Sequence, residues 1–169
     1  MGCIYFNQGK IKESLEIFKS VLVKDTNDPL VLVNCGKSYA ALGDTVTAET
    51  YFNRALSQDS CYFTALINLG IIYEEKKDFK KSQGYYLRAN KTNPLDPETY
   101  FALGNIFFLS KNWQEAKKWY EKSISYNYYF LPARRNLAYT LDSCGMHDLV
   151  KAQILIADSI TAVLNKKKQ

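Results

Sequence analysis

The sequence predicts an all-α chain of about five stacked helix-turn-helix units. First, a small residue recurs every 34 positions without insertion, at Gly2, Gly36, Gly70, Gly104 and Ala138. A fixed step of this size is typical of stacked supersecondary units. Second, other columns keep the step, among them a large apolar residue at Phe18, Phe52, Tyr86, Tyr120 and Ile154. Third, the apolar residues within each unit follow the spacing of two amphipathic helices joined by a tight turn.

The repeat predicts one domain with units at about 1–28, 29–62, 63–96, 97–130 and 131–165. In chain order, the expected helices cover about 1–8, 11–24, 29–42, 45–57, 63–76, 79–91, 97–110, 113–126, 131–144 and 147–165. Met1 stands where Leu69 and Leu103 stand in later copies. The first helix therefore lacks its opening turns, and the first unit is expected to be truncated.

Local start signals support the helices that open the second and fourth units. Asp28 and Asp96 each offer an N-cap acceptor, and a proline follows each of them in the first turn. Glu98 adds a negative charge near a helix N-terminus, where it is favourable. These signals predict helix starts at about 29 and 97.

The turns inside the units carry a second local signal. Gly9, Gly43 and Gly145 occupy the same turn position, where a positive φ is expected. Lys77 and Lys111 replace glycine in the two middle copies. Packing must therefore offset the strain of those two turns.

These columns resemble the signature of the tetratricopeptide repeat (TPR) family. The best copy carries Leu66, Leu69-Gly70, Tyr73, Ser82, Tyr86, Ala89 and Pro94, and the next carries Tyr100, Leu103-Gly104, Phe107, Ala116 and Tyr120. The resemblance spans nearly the whole chain, although every copy lacks the first signature tryptophan and Arg134 makes the last copy the weakest. It implies a right-handed α-α superhelix, or solenoid, whose first helices line a concave groove. It also implies a non-catalytic protein-interaction module that acts as an adaptor or scaffold.

Composition and charge exclude several classes of function. No stretch is apolar and long enough to cross a bilayer, so membrane insertion is not expected. The net charge of +5 is mild and owes much to the lysines at 166–168, while acidic residues interleave with the basic cluster at 76–81, so nucleic-acid binding is not expected. The cysteines, at Cys3, Cys35, Cys61 and Cys144, form no ligand spacing with the single histidine. They favour free thiols in a reducing, cytoplasmic compartment, with no metal and no cofactor.

No catalytic constellation is visible. A glycine-rich phosphate loop is missing, and a single histidine, His147, makes a nucleophile–base pair hard to assemble. Glu74 and Glu75 are adjacent, so their carboxylates point to different helix faces. The sequence therefore predicts that the chain is not an enzyme.

A column of asparagines is expected to face the groove. Two residues before the signature glycine lie Asn34, Asn68 and Asn136; Ala102 interrupts the column, and Asn105 lies one turn from it. A carboxamide can form hydrogen bonds with both the N–H and the C=O of a peptide backbone. The column therefore favours binding of an extended peptide. The alternative is that these are consensus residues without a role in binding.

Apolar and charged residues accompany the asparagines. Ile71, Phe101, Phe108 and Tyr139 either anchor a bound segment or pack between adjacent first helices. The cations at the two ends of the predicted groove are Lys37 and Arg135, and the acids between them are Glu74 and Glu98. A ligand of mixed charge therefore fits better than an acidic one. A clamp for acidic chaperone C-termini is not expected, because only Asn68 matches that pattern.

A second surface is predicted near the C-terminal end. The connection between the fourth and fifth units carries four aromatics, Tyr126, Tyr128, Tyr129 and Phe130. Four are more than the packing of the turn needs, which favours an edge contact with a partner. The last helix carries the expected stripe of Val150, Ile154, Ala157, Ile160 and Leu164, with further apolar residues off it. Ile156 stands where earlier copies have Ser20, Arg54, Arg88 and Lys122. This extra apolar surface predicts a further repeat, self-association through the terminal helix, or a docked partner.

The leading prediction is a module that holds an extended peptide or a partner protein in its groove. One alternative is an architectural subunit of a larger multiprotein assembly, joined through its ends. Another is a secretion chaperone for an unfolded client, against which the basic net charge speaks.

Overall fold

A computed structural model of the protein describes residues 1–24 and 27–166. Lys167 and Lys168 of the basic C-terminal run lie outside these residues. The described residues form ten helices: α1 (Gly2–Asn7), α2 (Ile11–Leu22), α3 (Pro29–Ala41), α4 (Thr45–Gln58), α5 (Phe63–Glu75), α6 (Phe79–Thr92), α7 (Pro97–Leu109), α8 (Trp113–Tyr126), α9 (Leu131–Ser143) and α10 (His147–Lys166). The all-α prediction is confirmed, and each helix ends within two residues of its predicted bounds.

The chain forms two compact units, Met1–Thr92 and Asn93–Gln169. In the first unit, each helix from α1 to α5 packs against the next one in the chain. In the second, α7 packs on α8, α8 on α9, and α9 on α10. Helix-turn-helix pairing is therefore present in both units, while the single-domain arrangement stays a prediction.

The recurring glycine lets the two helices of a pair approach closely. A Cβ atom on Gly36 would lie 2.6 Å from the Phe52 ring, and one on Gly104 would lie 2.5 Å from the Tyr120 ring. Both rings are fully buried. The glycine and the ring sixteen residues later thus form one packing unit, because a side chain at the first position would collide with the second.

The last pair, α9 and α10, departs from this packing. Ala138 replaces the glycine and Ile154 replaces the ring. Of the apolar stripe on α10, Ala157 and Ile160 are buried, whereas Ile154 is 50% exposed and Leu164 is also exposed. Ala138 is buried and Ile154 stays on the surface, so the contact between a glycine and a ring is absent from this pair.

The two glycine-free turns adopt the predicted left-handed backbone. Lys77 has a φ of 58° and Lys111 a φ of 57°, close to the 83° of Gly43. In the first of these turns, the N–H groups of Lys77 and Asp78 donate to the carbonyls of Glu74 and Tyr73, each at 2.9 Å. Hydrogen bonds of the helix end therefore hold a conformation that lysine by itself disfavours.

The predicted N-caps are present. One oxygen of Asp28 accepts from the N–H of Leu30 at 2.9 Å, and one oxygen of Asp96 accepts from the N–H of Thr99 at 2.8 Å. These bonds satisfy N–H groups that have no partner inside the helix.

Two chain-wide properties complete the description. None of the helices in the described part of the chain has both the length and the apolar character that a bilayer crossing requires. The cysteines are free thiols, of which Cys35 is buried and Cys3 and Cys61 are exposed. Burial raises the pKa of the Cys35 thiol to about 11.

Candidate functional site

In the first unit, Asn34 and Lys37 on α3 come together at a narrow cleft. The cleft has a volume of about 40 Å³ and is also lined by Cys3 and Phe6 of α1. The Lys37 Nζ lies 5.4 Å from the centroid of the Phe6 ring, within cation–π range. Among the described residues, the Asn34 carboxamide has no hydrogen-bonding partner, so both of its ends are available to a ligand.

Asn68 and Ile71 lie one turn apart on α5. The Nδ2 of Asn68 donates to the carbonyl of Thr64 at 2.7 Å, which uses one of its two N–H groups. Its Oδ1 has no donor among the described residues. Ile71 is 43% exposed, so α5 presents an exposed apolar side chain together with the free acceptor of Asn68.

In the second unit, Asn105 and Asn136 meet through Tyr120. The Oδ1 of Asn105 accepts from the Tyr120 hydroxyl at 2.8 Å and from the Nδ2 of Asn136 at 2.9 Å. Helices α7, α8 and α9 thus contribute one side chain each. The role of Tyr120 was missed from the sequence, where its column was assigned only to packing. The available signal was that Tyr86 and Tyr120 replace Phe18 and Phe52 of the earlier copies.

This cluster leaves one donor and one acceptor unused. The Nδ2 of Asn105 and the Oδ1 of Asn136 have no partners among the described residues. Because a peptide unit presents one C=O and one N–H, this pair has the complementary chemistry. Ala102, which interrupts the asparagine column, is compensated here by Asn105 one turn away.

The predicted aromatic anchors differ in how much surface they offer. The centroid of Phe101 lies 5.8 Å from that of Tyr120 and 5.3 Å from that of Phe130, in the hydrophobic cluster of the second unit. Phe108 meets Trp113 edge to face at 5.1 Å. Both rings are half-buried, so the packing alternative accounts for most of their surface. Tyr139, by contrast, is 67% exposed.

Two further charged residues, Arg135 and Glu74, differ in how far they are exposed. Arg135 is exposed on α9, whereas Glu74 at the end of α5 is half-buried. The Tyr86 hydroxyl donates to the Oε2 of Glu74 at 3.0 Å. Burial raises the pKa of Glu74, and the hydrogen bond from Tyr86 opposes the rise without cancelling it.

Candidate metal ligands are not assembled in the described residues. No three His, Cys, Asp or Glu side chains there form a group that could hold a metal ion. The Nδ1 of His147 lies 3.0 Å from the Oδ1 of Asp142, and both side chains are exposed.

Three of the four residues predicted for the second surface line one cleft. Tyr128, Tyr129 and Ile156 border a space of about 380 Å³ with Leu155, Ser159, Ile160 and Val163 of α10. Tyr126 is not part of it, because its ring stacks on Tyr100 with centroids 5.1 Å apart. Tyr126 thus belongs to the packing between α7 and α8, and binding at the cleft stays a prediction.

Arg134 holds one wall of this cleft. Its guanidinium carbon lies 4.2 Å from the centroid of the Tyr128 ring, and its Nε donates to the Tyr128 carbonyl at 2.9 Å. Nη1 donates to the Oε1 of Gln153 at 3.2 Å. The side chain that weakened the repeat signature is thus buried and supports Tyr128 from below.

The same cleft exists in the first unit, with different chemistry. Two repeats earlier, it is lined by Ser60, Cys61, Arg88, Lys91 and Thr92, together with Leu66. There, the Nη2 of Arg88 donates to the carbonyl of Ser60 at 2.9 Å. The repeat geometry therefore forms the cleft, and the side chains at 128, 129 and 156 make the later copy apolar and aromatic.

Comparison with known proteins agrees with the repeat and the fold. Family models described as tetratricopeptide repeat match residues 65–98 and 97–129. The chain is 29% identical over 124 residues to BBSome complex member BBS4 of Mus musculus, covering 73% of this chain and 24% of that protein. It is 25% identical over 127 residues to Anaphase-promoting complex subunit 6 of Arabidopsis thaliana, covering 75% of this chain and 23% of that protein. The matched part is about a quarter of the length of these relatives.

A crystal structure of MamA is similar in fold. It superposes with a TM-score of 0.88 and 21% sequence identity, covering 98% of this chain and 97% of that one. The likeness confirms the predicted fold class.

Proposed function

We propose that this chain, which belongs to the tetratricopeptide-repeat family, is a non-catalytic protein-interaction module. It binds an extended peptide, or an extended segment of a partner protein, through the groove-facing positions of its first helices. In this way it acts as an adaptor or scaffold. The observation that carries the proposal is the Asn105–Tyr120–Asn136 cluster, whose unused donor and acceptor complement a peptide unit.

The cluster is suited to backbone recognition because it is held in place. Rotation of the Asn105 carboxamide would break two hydrogen bonds, so its Nδ2 keeps a fixed position for a ligand carbonyl. A fixed donor and acceptor reduce the entropy lost on binding. Each neutral pair with a peptide contributes only about 0.5–1.5 kcal/mol, so several are needed.

The first unit supplies further contacts of the same kind. Asn34 offers its whole carboxamide, and Asn68 offers its Oδ1 and one N–H. Apolar anchoring comes from the exposed surfaces of Ile71 and Tyr139. Phe101 and Phe108 are half-buried, so they add less apolar surface than these two residues.

The experiment compares the wild type with a triple variant, Asn34→Ala, Asn68→Ala and Asn136→Ala. A single Asn53→Ala change is the control, because Asn53 is an exposed asparagine on a second helix, α4. Proteins captured from an extract of the source organism should be retained by the control and lost from the triple variant. Circular dichroism and melting temperature establish that the variants are equally folded. Retention of the same proteins by the triple variant would show that the asparagines are consensus residues.

A second candidate function is that of an architectural subunit in a larger assembly. The apolar cleft between Tyr128, Tyr129 and α10 favours it, and the similar proteins are named as members of the BBSome and the anaphase-promoting complex. Ile156→Arg restores the residue type that Arg88 has at this repeat position. If the terminal helix self-associates, sedimentation should show concentration-dependent assembly of the wild type that the variant abolishes. A monomeric wild type at high concentration would rule out self-association through this helix.

A further inference from the structure

We propose that Glu74 is a specificity-determining residue of the groove and binds a lysine or arginine side chain of the bound segment. This inference rests on the proposed function, since it names the chemistry of one residue in the ligand. It goes beyond backbone recognition, which the asparagines perform without selecting a sequence.

The first observation is where Glu74 lies. It follows Gly70 by four residues on α5 and occupies the repeat position of Phe6 and Ala40, one turn beyond the groove-facing positions of the first helix. Ile71 and Asn68 lie one and nearly two turns before it on the same helix. A ligand held by Asn68 therefore passes close to Glu74.

The second observation is that Tyr86 fixes the carboxylate. The Tyr86 ring is buried against Gly70, where a Cβ atom would lie 2.5 Å from it, so the ring cannot shift freely. Its hydroxyl donates to the Oε2 of Glu74 at 3.0 Å, which leaves Oε1 as the free acceptor. Phe18 and Phe52 occupy this position in the two preceding copies and have no hydroxyl group. The hydroxyl that holds Glu74 is therefore absent from those two copies, and in the following copy the Tyr120 hydroxyl donates to Asn105 instead.

The third observation is that this half-buried carboxylate has no counter-charge. No lysine, arginine or histidine of the described residues forms an ion pair with Glu74, and neighbouring Glu75 adds repulsion. Burial raises the pKa of Glu74, as expected for a carboxylate that has lost water and gained no cation.

Glu49 in the same unit shows the contrasting arrangement. Burial opposes ionisation there too, but hydrogen bonds from Lys76 and Tyr73 outweigh it and hold the pKa of Glu49 below its usual value. The chain therefore pairs one partly buried acid with its own lysine and leaves the other unpaired. A cation that arrives with the ligand would compensate Glu74 as Lys76 compensates Glu49.

The test selects a phage-displayed library of random linear peptides on the wild type, Glu74→Gln and Glu75→Gln. Glu75 is the matched control, because it is the adjacent acid and is exposed. We expect lysine or arginine to be enriched at one position in peptides from the wild type and from Glu75→Gln, but not from Glu74→Gln.

A selected peptide is then synthesised with arginine or with its neutral isostere citrulline at that position. The exchange should weaken binding to the wild type about tenfold or more and leave binding to Glu74→Gln nearly unchanged. Tyr86→Phe, which places the side chain of Phe18 and Phe52 at this position, should lose part of the preference while remaining folded. By NMR, the Glu74 carboxyl pKa should fall when the arginine peptide binds and not when the citrulline peptide does.

The outcomes separate this inference from the proposed function. Enriched peptides without a basic preference, or a preference that survives in Glu74→Gln, overturn the role of Glu74 and leave peptide binding intact. An equal loss of the preference in Glu75→Gln also overturns it, because general negative charge would then suffice. If the wild type enriches no peptide over the triple asparagine variant, both proposals fail.

Discussion

At the scale of single residues, two tyrosines combine packing with hydrogen bonding. The rings of Tyr86 and Tyr120 fill the space over Gly70 and Gly104, and their hydroxyls reach Glu74 and Asn105. A buried tyrosine ring fills space in the core, and its hydroxyl can at the same time hold a polar group by a hydrogen bond. Glu74 and Asn105 are therefore positioned by rings of the hydrophobic core.

The packing of glycine against these rings predicts opposite effects for two alanine substitutions. Gly104→Ala should lower the free energy of unfolding by about 1–3 kcal/mol, because its Cβ meets the Tyr120 ring. Gly84→Ala should raise it by about 0.5–1 kcal/mol, because nothing lies near that position in α6 and alanine favours the helix. Urea unfolding measures both, and a stable Gly104→Ala would contradict the packing described here.

Glu49 and Glu74 predict opposite dependences of stability on pH. The lowered pKa of Glu49 means that its ion pair stabilises the fold above the unfolded-state pKa and loses this effect as pH falls through the folded pKa. Glu49→Gln should therefore lower the free energy of unfolding by roughly 0.2–1 kcal/mol at pH 7 and by progressively less in acid.

The raised pKa of Glu74 gives the reverse sign. Glu74→Gln should stabilise the fold at neutral pH, and the gain should vanish as pH falls through that pKa. Urea unfolding at neutral and acidic pH distinguishes the two, and parallel curves for both variants would refute the assignment.

At the scale of helices and turns, one left-handed residue closes each helical pair. Glycine fills the position in three copies, and Lys77 and Lys111 fill it in the others at nearly the same φ. The fold therefore imposes this conformation whatever the side chain. Because lysine disfavours the left-handed backbone, the two middle turns are strained.

This strain predicts that Lys111→Gly stabilises the protein. Relief of the left-handed conformation outweighs the greater freedom of glycine in the unfolded chain, for a net gain of about 0.5–1 kcal/mol. The reciprocal change, Gly43→Lys, should cost a similar amount. Thermal unfolding compares the two, and destabilisation by Lys111→Gly would mean that the lysine side chain contributes more than its backbone costs.

At the scale of the whole molecule, burial is unevenly distributed along the chain. Helix α4 buries Ala48, Phe52 and Ala55 within 14 residues, whereas α10 buries only Ala157 and Ile160 within 20. In an array of repeats, stability depends on the contacts of each unit with its neighbours. In α10, the apolar residues Leu149, Ile154, Leu155 and Val163 stay on the surface.

Hydrogen exchange should follow this distribution. Amides of α4 and α8 should exchange slowly, while those of α1 and of the C-terminal half of α10 should exchange fastest, because few side chains protect them. Hydrogen exchange followed by mass spectrometry would measure the exchange rate of each helix. If α10 were as protected as α4, its exposed apolar face would be covered in solution, which would favour the architectural function.

The sequence by itself determined the repeat, the helices and the caps. The 34-residue step, the acids at Asp28 and Asp96 and the glycine turns act within a single unit, where local geometry decides the outcome. Asn105 and Asn136 are half-buried and Tyr128 is exposed, and their role in binding stays a prediction.

Only the tertiary structure decided how these residues are used. The bond between Asn105 and Asn136 spans 31 positions and depends on the Tyr120 hydroxyl from a third helix. Arg134 became a buried support for Tyr128 in the preceding turn and bonds Gln153 of α10, while Ile154 became a surface residue. Periodicity specifies which face of a helix a residue occupies, but the distance between side chains of different helices is fixed only when those helices pack.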